Sequence, residues 1–531
     1  MSETTPAPRH AATLTRLDAW WAHTLRTPGR LRLWYWGGPI AVTLLAAVLR
    51  LWNLGQPHSL VFDETYYVKD AWTTLHLGYE AVWPNDADTK FNAGSVNGFS
   101  DDGSFVAHPP LGKWIIALGL AVFGAQDATG WRISVAVVGI LAVFLLTLVA
   151  RALLHSTLLA TIAGFLMAID GNAIVMSRVA LLDNMVMFLA LLGFGAVLLD
   201  RGWHRNRLTA WLVARSETGK DPGWGPMLWW RPWLLAAGIL FGATSAVKWS
   251  GLYFLAVFAV YVVVVDALAR RRAGIGFWAS GAVLKQAPAT FLLMVPAALL
   301  TYLVAWTGWI VTAGGYYRQW ADEPGNAWTG VLTWVPRWFQ SLWHYQASMY
   351  NYHVGVNDPH AYQANPLTWL LMIRPTSMFY RGNLQGVDGC AFPNCSEAIT
   401  ELANPLIWWA ATAALVYLVY RLVRRREWQV GLILAGVVAG YAPWMLYLHR
   451  TVFQFYTIAF EPYLILGLVF VIGVILGRPD DPVERRLSGI RVVGIYLGMA
   501  LLVSAFFFPL WTGIQTPLWF WQLHIWLPTW H

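Results

Sequence analysis

Charge is scarce in this sequence. Of its 531 residues, 12% are Asp, Glu, Lys or Arg, whereas soluble domains carry about 25%. A chain so poor in charge cannot cover a water-facing surface, so a soluble globular protein is excluded. Only two cysteines are present, Cys390 and Cys395, both in one polar stretch. Nucleotide-binding signatures are missing: there is no GxxxxGK and no GxGxxG following a strand. That argues against an ATP-driven pump and against a nucleotide-sugar enzyme with a cytoplasmic catalytic domain. No internal repeat and no low-complexity segment is evident.

What the chain has instead is apolar length. Hydrophobic residues make up 57% and mean hydropathy is +0.48. The 34 Trp and the 15% aromatic content suit a protein with two membrane–water interfaces to anchor. The net charge of +8 comes partly from short Arg clusters between apolar runs, such as Arg270–Arg272 and Arg424–Arg426. Those are topogenic signals and not a nucleic-acid surface.

A membrane helix needs about 20 mostly apolar residues. Eleven stretches qualify: 35–54, 131–154, 156–175, 180–200, 232–248, 250–266, 287–310, 403–423, 428–449, 454–477 and 490–512. A twelfth, 112–124, is short, and counting it would move every Arg cluster to the outer side. The positive-inside rule rejects it as a span, so it reads as a helix lying at the outer interface. The expected fold is therefore an all-α polytopic bundle. Residues 1–34 form a cytoplasmic tail, with Arg26, Arg30 and Arg32 ahead of a signal anchor and no cleavable signal peptide evident. Spans 2–7 occupy 131–310 and spans 8–11 occupy 403–512. Two large outer loops, 55–130 and 311–402, and the tail 513–531 lie outside. Cys390 and Cys395 fall on that oxidising side, which is compatible with a small-loop disulfide and equally with two free thiols.

Ionisable residues near the outer face are the functional candidates, because charge at membrane depth is costly. Asp63-Glu64 opens the first outer loop. Adjacent carboxylates suit a general base or a divalent ion, and they also suit the first turn of an interfacial helix. His108-Pro109-Pro110-Leu111-Gly112-Lys113 would open the 112–124 helix and put Lys113 in its first turn. Arg178 and Asp183 share a tight outer turn, as a pocket pair or as a staple between two spans. Lys248 sits at another outer turn, against the positive-inside trend, where an anionic phosphate would justify it; snorkelling to headgroups is the alternative. The second loop supplies His353, His360, Tyr362 and Arg374, for stacking on and hydrogen bonding to sugar or peptide; zinc needs more ligands than this pattern holds. His449-Arg450 with Tyr456 and Glu461 adds one more outer cation. Arg132, Arg178, Lys248, Arg374 and Arg450 thus surround the Asp63-Glu64 pair, a site for an anionic amphiphile beside a base.

Those motifs, in this order between about residues 35 and 465, resemble the protein O-mannosyltransferases of the GT-C class, most closely the actinobacterial branch. The resemblance implies eleven spans, an outer catalytic pocket, a polyprenyl-phosphate mannose donor and Ser or Thr acceptors on translocated proteins. It implies Asp63 as general base in a single inverting displacement, and Glu64 joins it in the catalytic pair as a supporting or acceptor-binding carboxylate. Arg132, Arg178 and Lys248 become candidate phosphate ligands, with Arg374 and Arg450 as further ones. His108, Lys113, Asp183, His353, His360 and Tyr362 become candidate substrate contacts. No metal ligand set is expected; a divalent ion is not required, because a phosphate is already a good leaving group and needs mainly a cationic cradle. The implied setting is a plasma membrane, among its lipids, with a secretion translocon nearby. The 311–402 loop is too short and too aromatic for the β-trefoil-type insert of eukaryotic members. Two rivals remain: another GT-C enzyme glycosylating an envelope glycan or lipid, and a secondary transporter or flippase. The latter usually shows midplane charges and repeats.

Overall fold

The structure, a computed structural model, describes residues 14–531. All eleven apolar stretches are helical. Among the described residues, eight helices are long and apolar enough to cross a membrane: Pro28–Leu51, Ala128–Leu154, Asp183–Glu217, Gly251–Arg272, Trp278–Ala305, Pro405–Arg425, Trp428–Leu446 and Val483–Thr512. The stretches 156–175, 232–248 and 454–477 contain the shorter apolar helices Thr157–Ile169, Pro232–Val247 and Glu461–Leu476.

Local chemistry explains why these helices begin and break where they do. Thr27 caps Pro28–Leu51, accepting from the Arg30 N–H, with Pro28 at the first helical position. The first apolar helix thus starts before the expected end of the tail at 34. Of that tail, residues 1–13 lie outside the described residues, and Arg16–Thr24 forms a short helix whose Asp18 pairs with Arg486 at 2.8 Å. The 156–175 stretch is broken at Asp170, whose carboxylate accepts the Asn172 N–H at 2.9 Å and restarts the chain as Gly171–Met176.

Small residues let the bundle close. A Cβ at Gly238 or Gly242 would lie 2.5–2.7 Å from the backbone of Met294 or Ala298, so Pro232–Val247 and Ala287–Ala305 touch main chain to main chain. Asp183–Glu217 is the most enclosed of the eight long helices.

The 112–124 stretch forms the helix Leu111–Phe123, packed against Glu64–Leu77 and Ala128–Leu154. One feature was not expected of an all-helical chain. A three-stranded antiparallel sheet joins β1 (Thr376–Leu384), β2 (Asn394–Glu401) and β3 (Thr516–Pro517) in that order, so the 513–531 segment is part of the second loop's fold. Cys390, in the β1–β2 connection, forms a disulfide with Cys395 at the start of β2. Closing so short a loop removes about 2 kcal/mol of unfolded-chain entropy. Replacing both cysteines by serine is expected to speed proteolysis of this hairpin and leave the helical bundle unchanged; limited digestion read by mass spectrometry checks both.

Candidate active site

Most of the candidate residues gather at one end of the bundle. Asp63 is the residue before Glu64–Leu77, yet its carboxylate does not cap that helix. Burial pushes its pKa up to about 6, opposed by the nearby Lys248 ammonium and reinforced by Asp183. A carboxylate with such a pKa is mostly ionised at neutral pH and still basic enough to take a proton.

Glu64 is used quite differently. It is fully buried, and the Arg132 guanidinium donates to both its oxygens at 2.8 Å. The Ala180 and Val61 N–H groups donate to the same two oxygens at 2.8 and 3.0 Å. The remaining Arg132 N–H groups donate to the carbonyls of Leu54, Pro57 and Ser59. All five guanidinium donors are therefore consumed. Glu64 and Arg132 anchor the loop that carries Asp63, and neither has a direction left for substrate or phosphate.

Two other expected phosphate ligands are also committed. Arg178 donates to the carbonyls of Leu49, Arg50, Trp52 and Asn53, closing the end of the first apolar helix. It does not pair with Asp183. Arg374 donates to the carbonyls of Ala361, Thr529 and His531 and lies over Tyr362, 5.2 Å from its ring centroid. These arginines look alike in sequence, and only the fold shows that unpaired carbonyls have claimed them.

Lys248 and Arg450 remain at the site. Lys248 donates to both Asp183 oxygens at 2.9 Å, with its ammonium 4.2 Å from the Tyr456 ring centroid. A narrow cleft opens beside this pair, lined by Asp183, Ser250, Tyr253, Trp444 and Tyr456 among others. Arg450 donates to His353 Nδ1 at 3.0 Å. Since arginine can only donate, His353 is neutral with its proton on Nε2, which donates to the Ala107 carbonyl at 2.7 Å. Burial and Arg450 hold the His353 pKa down at about 4. His108 stacks on His353 with ring centroids 5.2 Å apart, and its buried Nδ1 has no protein partner. Burial, then Lys248, push its pKa well down, so it too is neutral.

Lys113 does not line the cleft. It pairs with buried Glu80 and donates to the His108 carbonyl at 3.1 Å, which fixes the His-Pro-Pro turn. Burial raises nearby Asp70 to about 7. His360 packs edge-on against Phe62 and Phe453, and its Nδ1 accepts the Tyr362 N–H. Sequence reasoning missed Tyr67, Asp70 and Glu80. The spacing of Asp63, Tyr67 and Asp70, one face of a helix, was the available signal. Among the described residues, no three His, Cys, Asp or Glu side chains form a group able to hold a metal ion.

A bundle of membrane helices with this terminal site has the fold of the GT-C membrane glycosyltransferases. The protein O-mannosyltransferase Pmt1–Pmt2 complex of S. cerevisiae, solved with its sugar donor, superposes with a TM-score of 0.69 over 99% of this chain and 97% of that one, at 15% identity. Residues 40–312 match the family described as dolichyl-phosphate-mannose-protein mannosyltransferase, and residues 338–530 the C-terminal four-transmembrane region of protein O-mannosyltransferase. A polyprenol-phosphate-mannose–protein mannosyltransferase of Mycolicibacterium smegmatis is 34% identical over 93% of both chains. Its Mycobacterium tuberculosis counterpart is 33% identical over 94% of this chain and 92% of its own. The chain belongs to the protein O-mannosyltransferase family and is a multi-span membrane glycosyltransferase.

Proposed function

We propose that the chain moves mannose from polyprenyl-phosphate mannose to Ser or Thr hydroxyls of translocated proteins, with Asp63 as the base. The observation that carries this reading is the half-buried Asp63 carboxylate, its pKa pushed up to about 6, close to Lys248 at one end of the bundle. The acceptor oxygen attacks the anomeric carbon and its proton passes to Asp63. The bond from that carbon to the phosphate oxygen breaks, and polyprenyl phosphate leaves. One displacement inverts the configuration. Lys248 and Arg450 are the cations we assign to the departing phosphate. Neutral His108, whose Nδ1 has no protein partner, offers a hydrogen-bonding imidazole to the sugar or acceptor, with His353 stacked behind it and held by Arg450 and the Ala107 carbonyl.

We further assign eleven spans, with the Arg clusters cytoplasmic and the site on the outer face of the plasma membrane. A hydroxyl acceptor on an emerging chain fits a site on that face, beside a secretion translocon.

Membranes containing the chain, given labelled polyprenyl-phosphate mannose and a Thr-rich, Pro-containing peptide, are expected to label the peptide. Label appearing only in lipid or glycan would replace this function with that of a different GT-C enzyme. Lys248→Gln is expected to lower transfer about 10²–10³-fold, the usual cost of losing one stabilising charge or donor at a developing anion. A near-normal rate at saturating donor would remove Lys248 from the phosphate site. Because protein cations are assigned the leaving charge, transfer is expected to persist in a divalent-ion chelator; loss restored by one added cation would put a metal in the mechanism.

A further inference from the structure

The turn that presents Asp63 contains a backbone conformation that its sequence does not favour. Phe62 has φ 49°, in the left-handed region, where bulky L residues are rare and where glycine costs nothing. The turn is closed twice: the Glu64 N–H donates to the Val61 carbonyl at 3.0 Å, and the Val61 N–H donates to the Glu64 carboxylate at 3.0 Å. A ring at a position suited to glycine needs a reason. Phe62 makes edge-on contacts with Phe453 and Phe455, both with centroids 5.7 Å away, and with His360 at 6.1 Å. These partners come from two distant segments that are bonded to each other. The Ala364 N–H donates to the Val452 carbonyl, and the Thr451 hydroxyl to the Asp358 carbonyl. Phe455 also lies under the Lys248 ammonium, at 5.9 Å. One aromatic cluster therefore touches the residue before the base and the cation beside it.

We infer that Phe62 is a positioning residue for the transfer reaction: its ring, gripped by His360, Phe453 and Phe455, holds the left-handed turn that aims the Asp63 carboxylate at the acceptor. Local strain of this kind persists only where the surroundings over-determine it, and it concentrates at functional sites. The inference rests on Asp63 being the base. It assigns the Phe453–Phe455 segment a role in setting the base geometry.

Phe62→Gly separates backbone from ring, because glycine accepts the positive φ without strain. Phe453→Leu loosens the grip without altering the turn. Both are measured as full-length protein in proteoliposomes, beside Asp63→Asn and Phe62→Tyr. Phe62→Gly is expected to keep its thermal midpoint and its donor KM while kcat falls about 10–100-fold, the cost of a small misplacement of a reacting group. Phe453→Leu is expected to move kcat the same way, by less, and Phe62→Tyr to restore it. The acid limb of the pH–rate profile reports Asp63, which Lys248, Asp183, Tyr67 and Tyr456 also face. That limb is expected to move to lower pH in Phe62→Gly as water reaches the carboxylate, a change that a purely structural ring would not produce. Wild-type kcat and an unmoved limb in Phe62→Gly, beside an inactive Asp63→Asn, overturn the inference alone. If Phe62→Gly fails to fold, wild-type kcat in Phe453→Leu does the same. An active Asp63→Asn overturns the base assignment and the positioning role together.

Discussion

Asp63→Asn is expected to lower mannose transfer by about 10²–10⁴-fold while leaving the protein folded and able to bind donor. The amide has nearly the shape of the carboxylate but cannot take the hydroxyl proton. Folding should not suffer, because the Asp63 carboxylate caps no helix and is raised to about 6 by burial. The native fold disfavours its charge, so removing that charge costs no stability. In the natural chain, only ionised Asp63 is competent. Transfer should therefore fall about tenfold for each pH unit below about 6 and level off above it. Asp183→Asn should shift this limb to lower pH: it removes a neighbouring negative charge that raises the Asp63 pKa and leaves Lys248, which lowers it. The measurement is initial rate against pH at saturating donor for the three proteins. A limb that stays near 6 in Asp63→Asn would show that another group titrates there.

Glu64 sits next to Asp63 in sequence, and the expected result of changing it is of another kind. Glu64→Ala or Arg132→Ala should cost about 3–5 kcal/mol of stability, since each leaves the other's charge buried and unpaired. That is a large part of the roughly 5–15 kcal/mol that holds a typical native fold. Both should give little monodisperse protein in detergent and a much lowered thermal midpoint. The carboxylate is held by four hydrogen bonds and the guanidinium has no donor left over. A well-folded Glu64→Ala that cannot transfer mannose would refute this and return Glu64 to the chemistry.

The contrast between these neighbours shows where sequence reasoning stops. An Asp-Glu pair after an apolar span announces costly charge at an interface, and the positive-inside rule orients it. Neither says which carboxylate meets an arginine. Helix geometry turns adjacent residues about 100° apart, so Asp63 and Glu64 face different surroundings. The arginines follow the same logic. Arg132, Arg178 and Arg374 looked like phosphate ligands because they are cations near one face. In the fold they answer carbonyls left bare where a helix ends or a loop turns, because buried polar groups must be paired. Lys248, expected to answer an anionic phosphate, also meets Asp183 across 65 residues of chain.

By itself, the sequence determined that this is a membrane protein, which apolar stretches are helical and which family it resembles. Those properties follow from apolar length, charge placement and short motifs, all of which are local along the chain. Only the tertiary structure decided which charges neutralise one another, that residues 394–401 and 516–517 share a sheet, and that Phe62 is held by rings some 300 to 400 positions away. Pairing in a low-dielectric interior depends on distances of a few ångströms between remote segments, and no local pattern encodes them.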